Sequence, residues 1–322
     1  MFHHFHGIGN RNFHDTSQGS INGNDFRHII NHLKQKYQII NADEFENRLL
    51  SGKLSGNEIC FSFDDGLKSQ FDIALPILDE FEIRAFFFIY SGIYGAKPNY
   101  LEIFRLFRNS NFSNIDEFYD TFFKLLKIKH KIKFNKYYSY FQKQNYLEEY
   151  PFYSENDRFF RYLRDQILKT KEYEALHFEL MNEKNFDVNL ASKNLWMSEE
   201  ELRVLHKKKH TIGLHSWSHP TRISQLSKNE QKKEYLQNLE HLQKITGKSK
   251  ITSSSHPCGD YNNITLDILK SLGIRISFKS NMKVPKKNSF LEIPREDHTN
   301  IMNEIKNENH PFFGQSAKTP SL

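Results

Sequence analysis

Two short motifs in this 322-residue chain combine residue types that suit hydrolytic chemistry. Asp64-Asp65-Gly66 ends the apolar run Ile59-Cys60-Phe61-Ser62-Phe63, and His215-Ser216-Trp217-Ser218-His219 sets two imidazoles four residues apart. Adjacent carboxylates at the end of a buried strand are costly to desolvate, and a divalent cation is the natural compensation. One carboxylate can bind the ion while the other stays close enough to act as a base. Two imidazoles at this spacing lie one helical turn apart or on one tight loop, where they can share that ion. Neither motif is specific alone: 16 histidines allow a chance His-x-x-x-His pair, and Asp-Asp-Gly is common in solvated turns.

The elements that must position these residues follow an α/β pattern. Residues 59–63 read as a strand, 69–81 as a helix and 85–90 as a second strand, a parallel unit with short links. Upstream, 24–36 reads as a helix, 37–40 as an extended piece, and Asn41-Ala42-Asp43 opens a second helix. The pattern resumes with a helix at 198–208 and a strand at 211–214. An amphipathic helix at 227–246 then offers Leu226, Leu236, Leu239 and Leu242 to a core. A short strand at 251–253, the loop His256-Pro257-Cys258-Gly259, a helix at 264–272, a strand at 274–278 and a last element at 291–294 complete it. Both motifs therefore emerge from strands at the C-terminal rim of a parallel sheet, where such folds assemble their sites.

Residues 97–195 differ in character, holding 23 of the 44 Phe and Tyr and no glycine. They read as an inserted helical layer with helices at 101–108, 115–128 and 156–181, the last capped by Asn156. A lid, a specificity module, or an aromatic core for packing or oligomerisation would each suit that composition. The tail after about residue 303 reads as loosely held.

Composition narrows the class. A hydrophobic fraction of 38% supports one large domain or two small ones. The formal charge of +6 reads as a modest excess spread along the chain, so nucleic acid is not an expected partner. Met1-Phe2-His3-His4-Phe5-His6 lacks the pattern of a secretory signal, and no window approaches the roughly 18 apolar residues of a transmembrane segment. The expectation is a cytoplasmic protein, at most peripheral at the inner membrane face. Cys60 and Cys258 form no CxxC pair and read as reduced thiols, and no thiol-base pair marks Cys258 as a nucleophile.

In chain order, Ser62-Phe63-Asp64-Asp65-Gly66, His215–His219 and Pro257-Cys258-Gly259 resemble the polysaccharide deacetylases of the NodB-homology type, carbohydrate esterase family 4. Ala85–Ile89 is similar to that family's second strand and Met197–Gly213 to its lead-in to the histidine motif, so the resemblance spans roughly 1–95 and 196–300. It implies an α/β fold, a distorted (β/α) barrel over 1–96 and 196–302, with 97–195 as a helical aromatic-rich insertion and 303–322 as the tail. It also implies that Asp65, His215 and His219 hold one divalent metal, with zinc first and nickel, cobalt or manganese also compatible. Asp64 would then be the base, and the backbone N–H of Cys258 would help hold the oxyanion.

The family's third motif often begins with an arginine that pairs with the base. Ser255 stands at the matching position, and Arg295 in Ile293-Pro294-Arg295 is expected to supply the cation. His298 is the expected proton donor to the leaving amine, with His256 as the alternative. Trp217, His256, Tyr261 and His4 are candidates for contact with a sugar. The implied activity is metal-dependent removal of an N-acetyl group from an amino sugar in a cytosolic glycan or surface-polysaccharide precursor. A related amidohydrolase acting on N-formyl or cyclic amides, and a catalytically silent barrel that binds a glycan or a protein, are the competing readings.

Overall fold

A computed structural model of the protein describes residues 1–7, 19–95, 100–129, 131–247, 250–283 and 289–308. The chain divides into two compact units, one of Met1–Ile8, Ile21–Tyr94 and Met197–Leu322, the other of Gly9–Ser20 and Gly95–Trp196.

The first unit is built on parallel strands. Gln38–Ile39 (β1) pairs with Glu58–Ile59 (β2) in a small sheet of its own. Ser62–Asp64 (β3), Phe86–Ile89 (β4), Thr211–Leu214 (β5), Ser253–Ser255 (β6) and Ile276–Phe278 (β7) form a second sheet in that order, every neighbour parallel. The run expected as one strand at 59–63 is thus two strands in two sheets, with Cys60-Phe61 turning the chain between them. The strand expected at 251–253 lies two residues later.

Single bridges extend both edges of the larger sheet, Phe2 to Phe63 and Ile293 to Phe278. The two edges then meet: the Met1 N–H donates to the Glu296 carbonyl at 2.8 Å and the His298 N–H to the Met1 carbonyl at 3.1 Å. That closure makes the unit a distorted α/β barrel, and it brings Arg295 beside β3 across a sequence separation of 231 residues.

Strand β4 is buried on both faces, as expected for the interior of a parallel sheet. Phe87 stacks on Phe63 with ring centroids 4.7 Å apart on the helix-covered face. Phe86 and Phe88 point to the opposite face, where they join Phe45, Ile276 and Phe278. The helices that cover the sheet carry the caps their sequences announce: Asn22 with Asp25, Ser198 with Glu201 and Ser227 with Glu230 form capping boxes. The expected helix at 69–81 opens as a π turn, Gln70–Ala74, and becomes α-helical at Leu75–Glu80. Pro76 lacks the N–H that a continuous α ladder would need. At the other end His298–Glu308 is helical, so residues 303–308, expected to be loose, are ordered by Ile301, which is buried, and by Met302 and Ile305, which pack on the core. Residues 309–322 lie outside the described residues.

The second unit is helical, with Tyr100–Ser110, Ile115–Lys129, Lys131–Phe141, Glu155–Tyr162, Thr170–Glu183 and Val188–Ser192 around an aromatic core that includes Phe104, Phe118, Phe122, Phe160 and Tyr173. The helix expected at 156–181 is two helices. Its cap is Ser154, which accepts the Asp157 N–H, rather than Asn156, and a π turn at Leu163–Ile167 ends the first piece before Leu168 turns extended. Among the described residues no helix is long and apolar enough to cross a membrane.

Three buried histidines make stability depend on pH. Burial pushes His177 down to about 3 and His210 and His256 down to about 4, from an ordinary value of 6.5. Each is neutral when folded, while the unfolded chain takes up protons once the pH drops below 6.5. The stability they contribute is therefore full above 6.5 and is lost as the pH falls through the window down to about 4. The urea midpoint is expected to drop on going from neutral pH to about 4.5, and a flat midpoint over that range would contradict the assignment.

Candidate active site

Strand alternation explains why two adjacent aspartates do different things. Asp64 is the last residue of β3, in register with Phe88, and its side chain shares the barrel's inner face with Ser62 and Phe88. There the Arg295 guanidinium forks onto both carboxylate oxygens, Nη1 to Oδ1 at 2.8 Å and Nη2 to Oδ2 at 2.7 Å. Arg295 Nη1 also donates to Ser62 Oγ at 3.1 Å and Nε to the Lys279 carbonyl, and the guanidinium lies over the rings of Phe88 and Phe278. The cation that the motif lacks at Ser255 thus stands at Arg295. Burial alone would raise the Asp64 pKa, but Arg295, with His215 and His3 further off, outweighs it and holds the carboxyl at about 2.

Asp65 leaves the strand with a left-handed φ of 77° and turns away to the histidine motif. Its Oδ1 lies 3.4 Å from His215 Nε2 and 3.3 Å from His219 Nε2. That oxygen is buried and has no hydrogen-bond partner among the described residues. Ligand atoms held on bonds of 2.0–2.2 Å around one tetrahedral ion sit about 3.4 Å apart, so the three side chains fit a divalent cation. Despite its burial, the Asp65 carboxyl is held well below the usual range by the two imidazoles.

The histidines are aimed by neighbours that their motif does not contain. His215 follows β5, and its Nδ1 is 2.7 Å from Ser255 Oγ and 3.1 Å from the Ser255 carbonyl, which turns Nε2 toward Asp65. Ser255, at the position of the expected arginine, therefore orients His215. The His215 N–H donates to Asn238 Oδ1 at 2.9 Å, while the Asn238 amide donates to the Ile89 carbonyl and to Ser91 Oγ. One turn earlier on the same helix, Glu234 accepts the N–H groups of Trp217 and Ser218 and the Ser218 hydroxyl. Ser216 and His219 both have left-handed φ, and Ser216 Oγ accepts the His219 N–H. The loop is strained and pinned on several sides, as expected of a preorganised site.

Gly92 is part of this support. Its N–H donates to the Trp217 carbonyl at 2.6 Å, and a Cβ there would lie 2.5 Å from the same oxygen. Gly92→Ala is expected to push the histidine loop back and to weaken metal affinity about 10- to 100-fold with the fold retained. A competitive chelator titration measures this, and unchanged affinity would remove Gly92 from the account.

The remaining candidates are placed as follows. His256 is buried at 1% exposure, its Nε2 2.8 Å from the Leu291 carbonyl, and its ring stacks on Tyr261, whose hydroxyl donates to Glu292. With a pKa near 4 it is a neutral strut of the loop and a poor proton donor near neutrality. His298 is equally sealed, stacked on Phe2, with Nδ1 3.4 Å from Asp297. Cys258 is exposed with a left-handed φ of 52°. Trp217 is half-buried and edge-on to His241. A ring nitrogen of His4 lies within 4.8 Å of an Asp65 oxygen. Its neighbour His3, which the motifs did not single out, places Nε2 3.9 Å from Asp64 Oδ2. The one sequence cue was the aromatic-His opening: Phe2 and Phe5 go into the core, leaving the histidines between them to face the carboxylates.

A family model described as polysaccharide deacetylase matches residues 164–277, which include His215, His219 and Cys258 but not Asp64 or Asp65. No curated protein sequence matches the chain. Among solved structures, the Streptococcus pyogenes deacetylase PplD in complex with acetate aligns at a TM-score of 0.54 and 13% identity, over 97% of this chain and 96% of its own. A de-N-acetylase from Aggregatibacter actinomycetemcomitans aligns at 0.52 and 12% identity, over 92% and 93%. IcaB from Ammonifex degensii aligns at 0.50 and 15%, over 86% and 83%. The family resemblance carried by the motifs is thus borne out: the chain matches the polysaccharide deacetylases over residues 164–277 and shares the fold of solved deacetylases over nearly its whole length.

Proposed function

We propose that the protein is a metal-dependent hydrolase that removes the N-acetyl group from an amino sugar of a surface polysaccharide or its precursor. The observation that carries this reading is the division of the aspartate pair, Asp65 with two imidazoles and Asp64 with Arg295. Asp65, His215 and His219 are the residues that hold the ion, with zinc the first choice for two imidazoles and a carboxylate. A divalent ion in that place supplies Lewis-acid polarisation of the acyl oxygen and makes water acidic enough to attack near neutral pH.

The chain's own residues do the rest. Asp64, kept ionised by Arg295, takes the proton from the attacking water, and the guanidinium fixes the carboxylate in position. The backbone N–H of Cys258 is the donor for the developing oxyanion. For the proton returned to the amine we assign His3. Its Nε2 lies 3.9 Å from Asp64 Oδ2 with its side chain 13% exposed, whereas the His298 ring packs on Phe2 beside Asp297 and His256 Nε2 is held at the Leu291 carbonyl. Trp217, Tyr261 and His4 remain candidates for sugar contact, and the helical unit for a specificity module or an interface between copies.

Similarity in fold to proteins named as deacetylases supports the N-acetyl bond over an N-formyl or cyclic amide. Paired trials decide it: the protein should release acetate from N-acetylated glucosamine oligomers faster than formate from the N-formylated analogues. The reverse order would favour the related amidohydrolase, and no release of either from metal-loaded protein would favour the silent barrel.

A further inference from the structure

The positive charge of this chain is not spread evenly, as its composition suggests at first sight: one dense run of it lies within the helical unit. Residues 121–147 contain seven lysines and no arginine, aspartate or glutamate, a charge of +7 in a chain whose formal net charge is +6, leaving the remaining residues at −1. The helices Ile115–Lys129 and Lys131–Phe141 carry most of that run. On the first, Lys124, Lys127 and Ile128 share one exposed face at spacings of three and four. On the second, Lys133, Lys136, Tyr140 and Lys143, just past its end, recur at spacings of three and four and are exposed as well. Among the described side chains of this run, Lys129 pairs with a carboxylate, Glu179 at 2.7 Å.

A lysine-rich helix face is usually a solvated surface, but two features here go beyond that. Ile128 is 71% exposed between Lys127 and Lys129, and Tyr140 is 44% exposed below Lys136. Two of the ammonium groups also lie over rings, Lys127 Nζ 4.5 Å from the Phe134 centroid and Lys136 Nζ 5.5 Å from that of Tyr140. Apolar and aromatic side chains standing out among lysines are the composition of a surface that meets a lipid interface, where ammonium groups reach the phosphates and apolar tips enter the acyl boundary. A soluble polyanion would engage the lysines but has no place for Ile128.

We propose that this face binds the surface of a membrane rich in anionic phospholipid, which would hold the protein where membrane-linked glycan is made. The inference does not depend on the hydrolase reading, since binding is measured without turnover. The experiment is co-sedimentation of the full chain with vesicles of phosphatidylcholine alone and of phosphatidylcholine mixed with phosphatidylglycerol, at low and high salt. It compares wild type, the triple variant Lys127→Glu, Lys133→Glu, Lys136→Glu, and Ile128→Ser.

Binding is expected only to the mixed vesicles, and to weaken with salt. Each lysine near the surface contributes about fivefold, so the triple charge reversal should lower binding by well over tenfold. Ile128→Ser should weaken it several-fold without any change in charge, and melting should be unaltered because every substituted side chain is exposed. Equal binding to both vesicle types, wild-type binding by the triple variant, or no binding at all would overturn the proposal. So would an unchanged affinity for Ile128→Ser together with equally tight binding to dextran sulfate, which would assign the face to a soluble polyanion.

Discussion

Asp64→Asn is expected to lower kcat about 10²- to 10⁴-fold while leaving the metal content unchanged. Asparagine fills the same volume at the end of β3 and can still accept one hydrogen bond from Arg295, but it cannot take a proton from water. Asp65, His215 and His219 are untouched, so an ion should bind in full. Metal analysis beside turnover on N-acetylated glucosamine oligomers checks this. Loss of metal in step with activity would mean that the roles of the two aspartates are exchanged. The alternation of β3 predicts otherwise, because it points Asp64 at Arg295 and leaves only Asp65 free to turn toward the imidazoles.

The second large effect is expected at Arg295. Replacing it with methionine leaves the Asp64 carboxylate buried without its counter-ion, and breaking such a pair costs about 3–5 kcal/mol. The pH dependence should change sign. In the native protein burial works against Asp64, but Arg295 prevails and holds its pKa at about 2, below the ordinary 3.8. Its contribution to stability is therefore present above 3.8 and lost as the pH falls through about 2. Without Arg295, desolvation dominates and the folded pKa rises above 3.8, so Asp64 destabilises the variant increasingly as the pH rises through that value. The stability difference between wild type and Arg295→Met is thus expected to widen from pH 5 to pH 7. Asp64→Asn combined with Arg295→Met should recover part of the loss, because no buried charge is then left alone. A difference that stayed constant with pH, and a double variant as unstable as the sum of the singles, would show that the pair is not a coupled unit.

The residues of the proposed site could be picked out in the sequence because they sit in contiguous motifs, each following a run of apolar residues that reads as a buried strand. Asp64, Asp65, His215 and His219 were legible for that reason. Arg295 lies outside any contiguous motif, and the barrel closure through Met1, Glu296 and His298 places it beside Asp64. The supports were not legible. Ser255 shows as the loss of an arginine, yet its work is to orient His215, which depends on the register of β6 beside β5. Glu234 and Asn238 belong to a helix read for its leucines. Their spacing of four on the side that also carries Tyr235 and Leu242 was the cue, since a buried Asn on such a face needs partners. The boundaries misread most are those decided by tertiary contact. The strand at 59–63 divides because its two halves serve different sheets, and the helix at 156–181 breaks where Leu168 turns extended. The lysine run is masked by the small charge of the whole chain.

Acetate release measured beside metal content tests the central claim most directly. Protein stripped by a chelator and checked to be metal-free should release no acetate from N-acetylated glucosamine oligomers, and activity should return in proportion to a divalent ion added back, saturating at one per chain. Acetate release at the original rate by the metal-free protein would contradict the account.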